Sequence, residues 1–168
     1  MSNRNSIING VSLVLGAVCA MLAFLARTVS GSPLDMIHKL YGLEMLPPIW
    51  LFNFLSVAWC FLIGVAAGAV IYGALNKKAC GRQEVESYIG LCFFLVSFFM
   101  SIIWYPLLFA AQALFLAFIA CVLVTVSAIL CAYWWFRASG GAPAVIMAAY
   151  AIWSIYICVV NIAVLFGI

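Results

Sequence analysis

The chain has 168 residues, of which 70% are hydrophobic and 7% are charged, and its formal net charge is +3. A soluble domain carries about 25% charged residues, so this composition excludes a soluble protein and predicts an integral membrane protein in contact with lipid. The basic residues lie in short polar connections, where they set membrane topology, and nucleic acid is not expected as a partner.

Five apolar stretches are long enough to cross a membrane, because a helical span needs about 20 residues. The sequence therefore predicts an all-α membrane protein, a five-transmembrane-helix bundle that forms a single domain over residues 1–168. The predicted spans are 7–26, 48–75, 87–110, 113–136 and 144–166. The first stretch follows Arg4 and also suits a signal peptide, but its length favours a retained helix.

The connections between the spans carry their own signals. Residues 30–46 form the longest polar connection, with a short helical turn expected at 34–41. The prolines that follow it favour the first turn of a helix, so Pro47-Pro48 predicts a rigid start for the second span. Pro106 should kink or end the third span.

Basic residues in the short connections predict the orientation of the chain. Five of them share the N-terminal side of the membrane, whereas Arg27 and Lys39 share the other side. The five are Arg4, Lys77, Lys78, Arg82 and Arg137. This distribution favours a cytoplasmic N-terminus.

The spans lack the residues that most membrane chemistry requires. No acidic or basic residue lies well inside a predicted span, which argues against an ion-coupled pump. His38 lies in the long connection, and the cysteines lack metal-ligand spacing. We therefore predict no catalytic residue, metal or cofactor.

Aromatic, small and neutral polar residues line up at helical spacing in three spans. Two interpretations remain open: close helix packing, or a pocket for a flat apolar ligand. The second span aligns Trp50, Asn53, Phe54, Val57, Phe61, Gly64 and Gly68, the third Gly90, Phe94, Ser97, Ser101, Trp104 and Leu108, and the fifth Tyr150, Trp153, Ser154, Ile157 and Asn161. For Gly64 and Gly68, packing is favoured.

Three motifs occur in a recognisable order: Pro47-Pro48-Ile49-Trp50, then Trp104-Tyr105-Pro106-Leu107-Leu108-Phe109, then Tyr150-x-x-Trp153-x-x-Tyr156-x-x-x-x-Asn161. This order resembles the TspO/MBR family, the tryptophan-rich sensory proteins that include the mitochondrial translocator protein, or peripheral-type benzodiazepine receptor. The resemblance covers the chain from about residue 27 to residue 161.

The resemblance implies a five-helix bundle, often a homodimer, in the bacterial cell envelope or the mitochondrial outer membrane. The loop between helices 1 and 2 would cover a pocket for porphyrins, sterols or related ligands. The positions carried over are Trp50, Leu116, Ile119, Leu123, Trp153, Ile157 and Val160. Ser101 stands where the family commonly has a pocket asparagine, and the aligned seams add Asn53, Trp104, Tyr150 and Asn161.

Some aromatic positions of the family are not kept. Ser56 stands at the position of the family's helix-two tryptophan. In the loop, Met36-Ile37 replaces a Trp-Tyr pair, and Met45 replaces the tryptophan two residues before the prolines. A helix-four aspartate is replaced by Ala120. These changes favour a binding protein, a sensor or carrier, over the alternative of an enzyme that degrades porphyrin under light. A structural or assembly subunit without a ligand is the third hypothesis.

Overall fold

The computed structural model describes residues 2–30, 48–76, 81–138 and 141–166. These residues form five helices, each containing an apolar stretch long enough to cross a membrane. The helices are α1 (Ser2–Ser30), α2 (Ile49–Asn76), α3 (Gly81–Phe109), α4 (Leu114–Ala138) and α5 (Ala142–Phe166). The predicted all-α fold with five transmembrane helices is therefore confirmed.

Two helices, α1 and α3, extend beyond the predicted spans by four or more residues. Helix α1 continues through Arg27 to Ser30, because arginine is a good helix former and its long side chain can reach the membrane surface. Helix α3 begins at Gly81, before the predicted start at 87. Its first turns are supported by an ion pair between Arg82 Nε and Glu86 Oε1 at 3.4 Å, one helical turn apart.

Prolines define the ends of two helices. The carbonyl of Pro48 accepts the N–H groups of Leu51 and Phe52 at 2.9 and 3.0 Å, so α2 begins directly after it, as predicted. Pro106 lies inside the last turn of α3. Gln112 then adopts a left-handed conformation, with φ of 52°, in the tight connection to α4.

The helices contact one another in the circular order α1, α2, α5, α4, α3, and the circle closes between α3 and α1. Glycines allow α1 and α2 to approach closely. A Cβ atom on Gly64 would lie 2.9 Å from Gly16 Cα, and one on Gly68 would lie 2.6 Å from Ser12 Cα. The packing role predicted for Gly64 and Gly68 is confirmed.

Charged and aromatic residues join α3 to α4 at the end of the bundle where α3 begins. The buried carboxylate of Glu86 lies 3.2 Å from Arg137 Nη2, and the Arg137 guanidinium lies over the ring of Tyr133, 5.7 Å from its centroid. One turn further along α3, Gly90 leaves space for the indole of Trp135, which is fully buried.

Several sequence predictions lie outside the described residues. They are the helical turn at 34–41, the lid formed by residues 31–46, and the positions of Met36, Ile37, His38, Lys39, Met45, Lys77 and Lys78.

Candidate functional site

A cavity lies among α2, α3, α4 and α5, in the half of the bundle where α2 begins and α3 ends. Its volume is about 50 Å³, which is enough for a few water molecules. Within the described ranges, none of the residues that line it is Asp, Glu, Lys, Arg or His. They are Phe52, Ser56, Trp59, Cys60, Ser101, Trp104, Tyr105, Cys121, Val124, Tyr150, Trp153, Ser154 and Ile157.

Three tryptophans on three different helices form the aromatic walls of the cavity. The ring of Trp153 lies 5.9 Å from that of Phe52, and the ring of Trp59 lies 6.1 Å from that of Tyr150. Trp104 contacts Tyr105 edge to face at 5.0 Å. These centroid distances are typical of favourable aromatic pairs, so the walls pack on one another and present indole surface to the interior.

A hydrogen-bonded pair, Ser101 and Tyr150, joins α3 to α5 within the cavity. The Ser101 hydroxyl donates to the carbonyl of Ser97 at 2.9 Å, and a carbonyl can only accept. The hydrogen in the 2.5 Å bond between Ser101 Oγ and Tyr150 Oη must then come from Tyr150. Tyr150 is therefore the donor and Ser101 the acceptor.

The other two serines of the cavity also donate to backbone carbonyls. Ser56 Oγ donates to Phe52 O at 2.8 Å, and Ser154 Oγ donates to Ala151 O at 2.8 Å. With these hydrogens engaged, the hydroxyl oxygens can only accept further hydrogen bonds, and one such bond joins Ser56 to Tyr105. The serines consequently offer hydrogen-bond acceptors to a ligand that carries donors.

Five of the predicted site residues line the cavity, and the remaining seven lie elsewhere. The five are Ser101, Trp104, Tyr150, Trp153 and Ile157. The structure thus brings together the predicted faces of α3 and α5. It does not bring Trp50, Asn53, Leu116, Ile119, Leu123, Val160 or Asn161 into the lining.

Asn161 holds a cavity wall in place. Its side-chain oxygen accepts the indole N–H of Trp104 at 3.2 Å, and its amide nitrogen donates to the carbonyl of Ile157 at 2.8 Å. Both ends of the amide are engaged by the protein, so Asn161 positions Trp104. Val160, its neighbour, is half-buried and packs against the same apolar cluster.

Helix α4 turns a different face to the cavity from the one expected. Leu116, Ile119 and Leu123 share one face, but they are 53%, 40% and 45% exposed on the outside of the bundle. Cys121 and Val124 line the cavity instead. The small residues of α4 are buried against neighbouring helices, as is common in membrane bundles, and this leaves the large aliphatic side chains outside.

Helix α2 also presents a face that differs from the predicted one. Trp50 is 69% exposed, while Phe52, Ser56, Trp59 and Cys60 line the cavity. Asn53 lies beside this face, and its Oδ1 is buried without a hydrogen-bond partner in the described part of the chain.

Trp59 lines the cavity, although three residues separate it from Ser56 and it is therefore a doubtful substitute, by sequence alone, for the family's helix-two tryptophan. Its separation from Phe52 and Ser56 by seven and three residues places it on their side of a helix, and this spacing was the available signal. Trp59 therefore supplies indole surface in α2 although the expected tryptophan position holds Ser56.

The TspO/MBR family model matches residues 11–166, which is nearly the whole chain. No curated protein matches, and no solved structure matches. The five-helix architecture agrees with the family match, and the chain belongs to the TspO/MBR family.

Proposed function

We propose that this membrane protein binds porphyrins or similar flat apolar ligands, such as sterols, and acts as a sensor or carrier. The observation that carries this proposal is the uncharged cavity lined by Trp59, Trp104 and Trp153. Ligand sites commonly combine apolar and aromatic walls with a few polar groups that set orientation. The cavity within the bundle has this composition.

The cavity volume sets a requirement on binding. Pockets for drug-sized ligands measure about 300–1,000 Å³, whereas the volume of this cavity is about 50 Å³. A porphyrin must therefore displace side chains as it enters. Trp104 is tied to Asn161, so the half-buried rings of Trp59 and Trp153 are the walls we expect to move. Because this rearrangement is a separate step, the association rate should level off at high ligand concentration.

The polar groups suggest which parts of the ligand enter. Ser56, Ser101 and Ser154 offer acceptors, which suit the pyrrole N–H groups of a free-base porphyrin or the hydroxyl of a sterol. A ligand carboxylate finds no cation among the lining residues that the structure describes. Arg27 lies in the last turn of α1, within electrostatic range of the lining residue Tyr105, and we expect it to attract a porphyrin carboxylate at the edge of the site.

The experiment that tests binding is a titration of the protein in nanodiscs with protoporphyrin IX in the dark. Quenching of tryptophan fluorescence is measured at each addition. An unrelated membrane protein in the same nanodiscs measures simple partitioning. The proposal predicts saturable quenching in excess of this control. Linear quenching equal to the control would contradict it and would favour a structural or assembly subunit.

The same titration with protoporphyrin IX dimethyl ester tests the ligand orientation. Arg27→Gln should weaken binding of the free acid and leave binding of the ester unchanged, because the ester has no carboxylate to pair with the guanidinium. Equal weakening of both would show that Arg27 affects the fold of the site instead.

Light-dependent porphyrin breakdown is a second candidate function. It is supported by Trp59 and Tyr150, whose rings lie 6.1 Å apart beside Trp153 in the cavity wall. Illuminating the bound complex would then bleach the porphyrin absorption bands faster than in the control nanodiscs. Equal bleaching would leave binding as the function.

We further propose a homodimer with a cytoplasmic N-terminus. The dimer follows from the family resemblance, and the orientation follows from the excess of basic residues on the N-terminal side.

Native mass spectrometry of the nanodisc complex should give a mass of two chains. In intact bacterial cells, an N-terminal tag should resist added protease while a C-terminal tag is cleaved.

A further inference from the structure

A pair of cysteines joins α4 to α5 at the edge of the cavity. The sulfur of Cys158 lies 3.1 Å from the sulfur of Cys121, and Cys121 is a cavity-lining residue. A disulfide bond is about 2.05 Å long. The two sulfurs therefore need to approach by about 1 Å to bond.

Hydrogen bonds hold the two sulfurs face to face. Cys158 Sγ donates to Cys121 Sγ, and Cys121 Sγ lies 3.8 Å from the carbonyl oxygen of Ser154, to which it donates. Thr125 Oγ1 lies 3.4 Å from Cys158 Sγ and 3.0 Å from the Cys121 carbonyl oxygen. Both thiols are thus oriented by groups on α4 and α5, which are packed against each other.

The depth of the pair determines which reagents can reach it. Cys121 comes seven residues after the start of α4 and Cys158 eight residues before the end of α5. At 1.5 Å per residue, each lies about 10–12 Å from the helix end, within the apolar spans. A reagent that dissolves in the bilayer can therefore reach Cys158, which is only partly buried, more readily than a strongly hydrated one.

We propose that Cys121 and Cys158 form an oxidisable dithiol that reduces hydroperoxides dissolved in the membrane. The deprotonated sulfur of Cys158 attacks the hydroxyl oxygen of the peroxide. The O–O bond breaks, the leaving alkoxide takes up the proton that the Cys158 thiol gave up and departs as the alcohol, and Cys158 becomes a sulfenic acid.

Cys121 completes the reaction. Its sulfur attacks the sulfenic sulfur of Cys158, the S–S bond forms, the S–O bond breaks, and water leaves with the thiol proton. In sum, two thiols and one hydroperoxide give one disulfide, one alcohol and one water. The peroxide accepts the two electrons that the sulfurs lose.

The disulfide changes the protein as well as the peroxide. It closes a loop between residues separated by 37 positions in the chain, which restricts the unfolded state and raises stability. It also draws α4 and α5 together at a cavity wall. This inference does not depend on the identity of the cavity ligand.

The test uses the full chain in nanodiscs, treated with cumene hydroperoxide and then with an alkylating reagent. Peptide mapping should find Cys121 linked to Cys158, with the loss of two hydrogen atoms, and a phosphine should reverse the link. The unfolding temperature should rise after oxidation in the wild type and in Cys131→Ser, but not in Cys158→Ser. Hydrogen peroxide, which is more hydrated, should react more slowly.

The proposal is overturned if Cys121 and Cys158 both stay reduced, and are therefore alkylated, under conditions that oxidise the exposed Cys92. It is also overturned if each cysteine is oxidised separately without a disulfide between them. Equal rates of oxidation by cumene hydroperoxide and by hydrogen peroxide would contradict the proposal that the substrate is dissolved in the membrane. Because the peptide map is made on the wild-type protein, a variant that fails to fold cannot obscure the result.

Discussion

The indole N–H of Trp104 donates to the side-chain oxygen of Asn161 across 3.2 Å, joining α3 to α5 beside the cavity. Both residues are buried. Since the amide nitrogen of Asn161 donates to the Ile157 carbonyl, the orientation of the amide is set, and its oxygen is directed at the indole. This bond makes Trp104 a fixed wall of the cavity.

Asn161→Leu should lower the free energy of unfolding by about 1–3 kcal/mol, because it leaves the buried indole N–H without an acceptor. Thermal unfolding in detergent measures the change. In the Trp104→Phe background, which lacks that N–H, the same substitution should cost less. Equal costs in the two backgrounds would show that the bond contributes nothing to stability.

Gly90→Ala should destabilise the protein by about 1–3 kcal/mol, through overpacking. The added Cβ would lie 2.3 Å from Cδ1 of Trp135, whose ring is fully buried and has little room to move. Gly73→Ala in α2 is the matched control, since a Cβ there has no contact within 4 Å. It should stabilise by up to about 1 kcal/mol through helix propensity. Equal effects at the two glycines would contradict the account.

Glu86→Gln should lower the free energy of unfolding by roughly 1 kcal/mol, because it removes the buried carboxylate that pairs with Arg82 and Arg137, whose own side chains are exposed to solvent and keep the pairs weak. Urea or thermal unfolding at low and high salt measures this loss, which should shrink as salt screens the wild-type pairs. Glu84→Gln, in the first turn of the same helix, serves as the control. A loss that does not change with salt would assign Glu86 to packing instead.

The sequence predicted the site best where polar and aromatic residues mark one side of a helix. In α5, Tyr150, Trp153 and Ile157 recur at helical spacing, and all three line the cavity. The order in which the helices contact one another around the bundle could not be predicted from periodicity, because each span is apolar enough to face lipid or protein.

Helix α4 shows why the rest could not be predicted. It is apolar on all sides, so large aliphatic residues do not indicate which face is inside. Leu116, Ile119 and Leu123 do share a face, but that face points away from the bundle. The buried face is marked by small residues such as Ala117, Ala120 and Ala128, which allow close helix approach.

In α2 the motif Pro47-Pro48-Ile49-Trp50 located the helix start correctly, but it drew attention to an exposed tryptophan. Trp50 lies in the first turn and is 69% exposed, whereas the cavity face runs through Phe52, Ser56 and Trp59. The motif thus located the start of the helix but not the side chains of α2 that face the cavity.

The most direct test of the central claim is the dark protoporphyrin IX titration of wild type, Trp153→Phe and Trp50→Phe in nanodiscs. Trp153 lines the cavity and Trp50 does not, and both substitutions keep an aromatic ring. Binding in the cavity predicts that Trp153→Phe weakens the affinity with little change in thermal stability, while Trp50→Phe leaves the affinity at the wild-type value. Unchanged affinity in Trp153→Phe together with lost stability would assign Trp153 to the core and contradict a ligand site in the cavity.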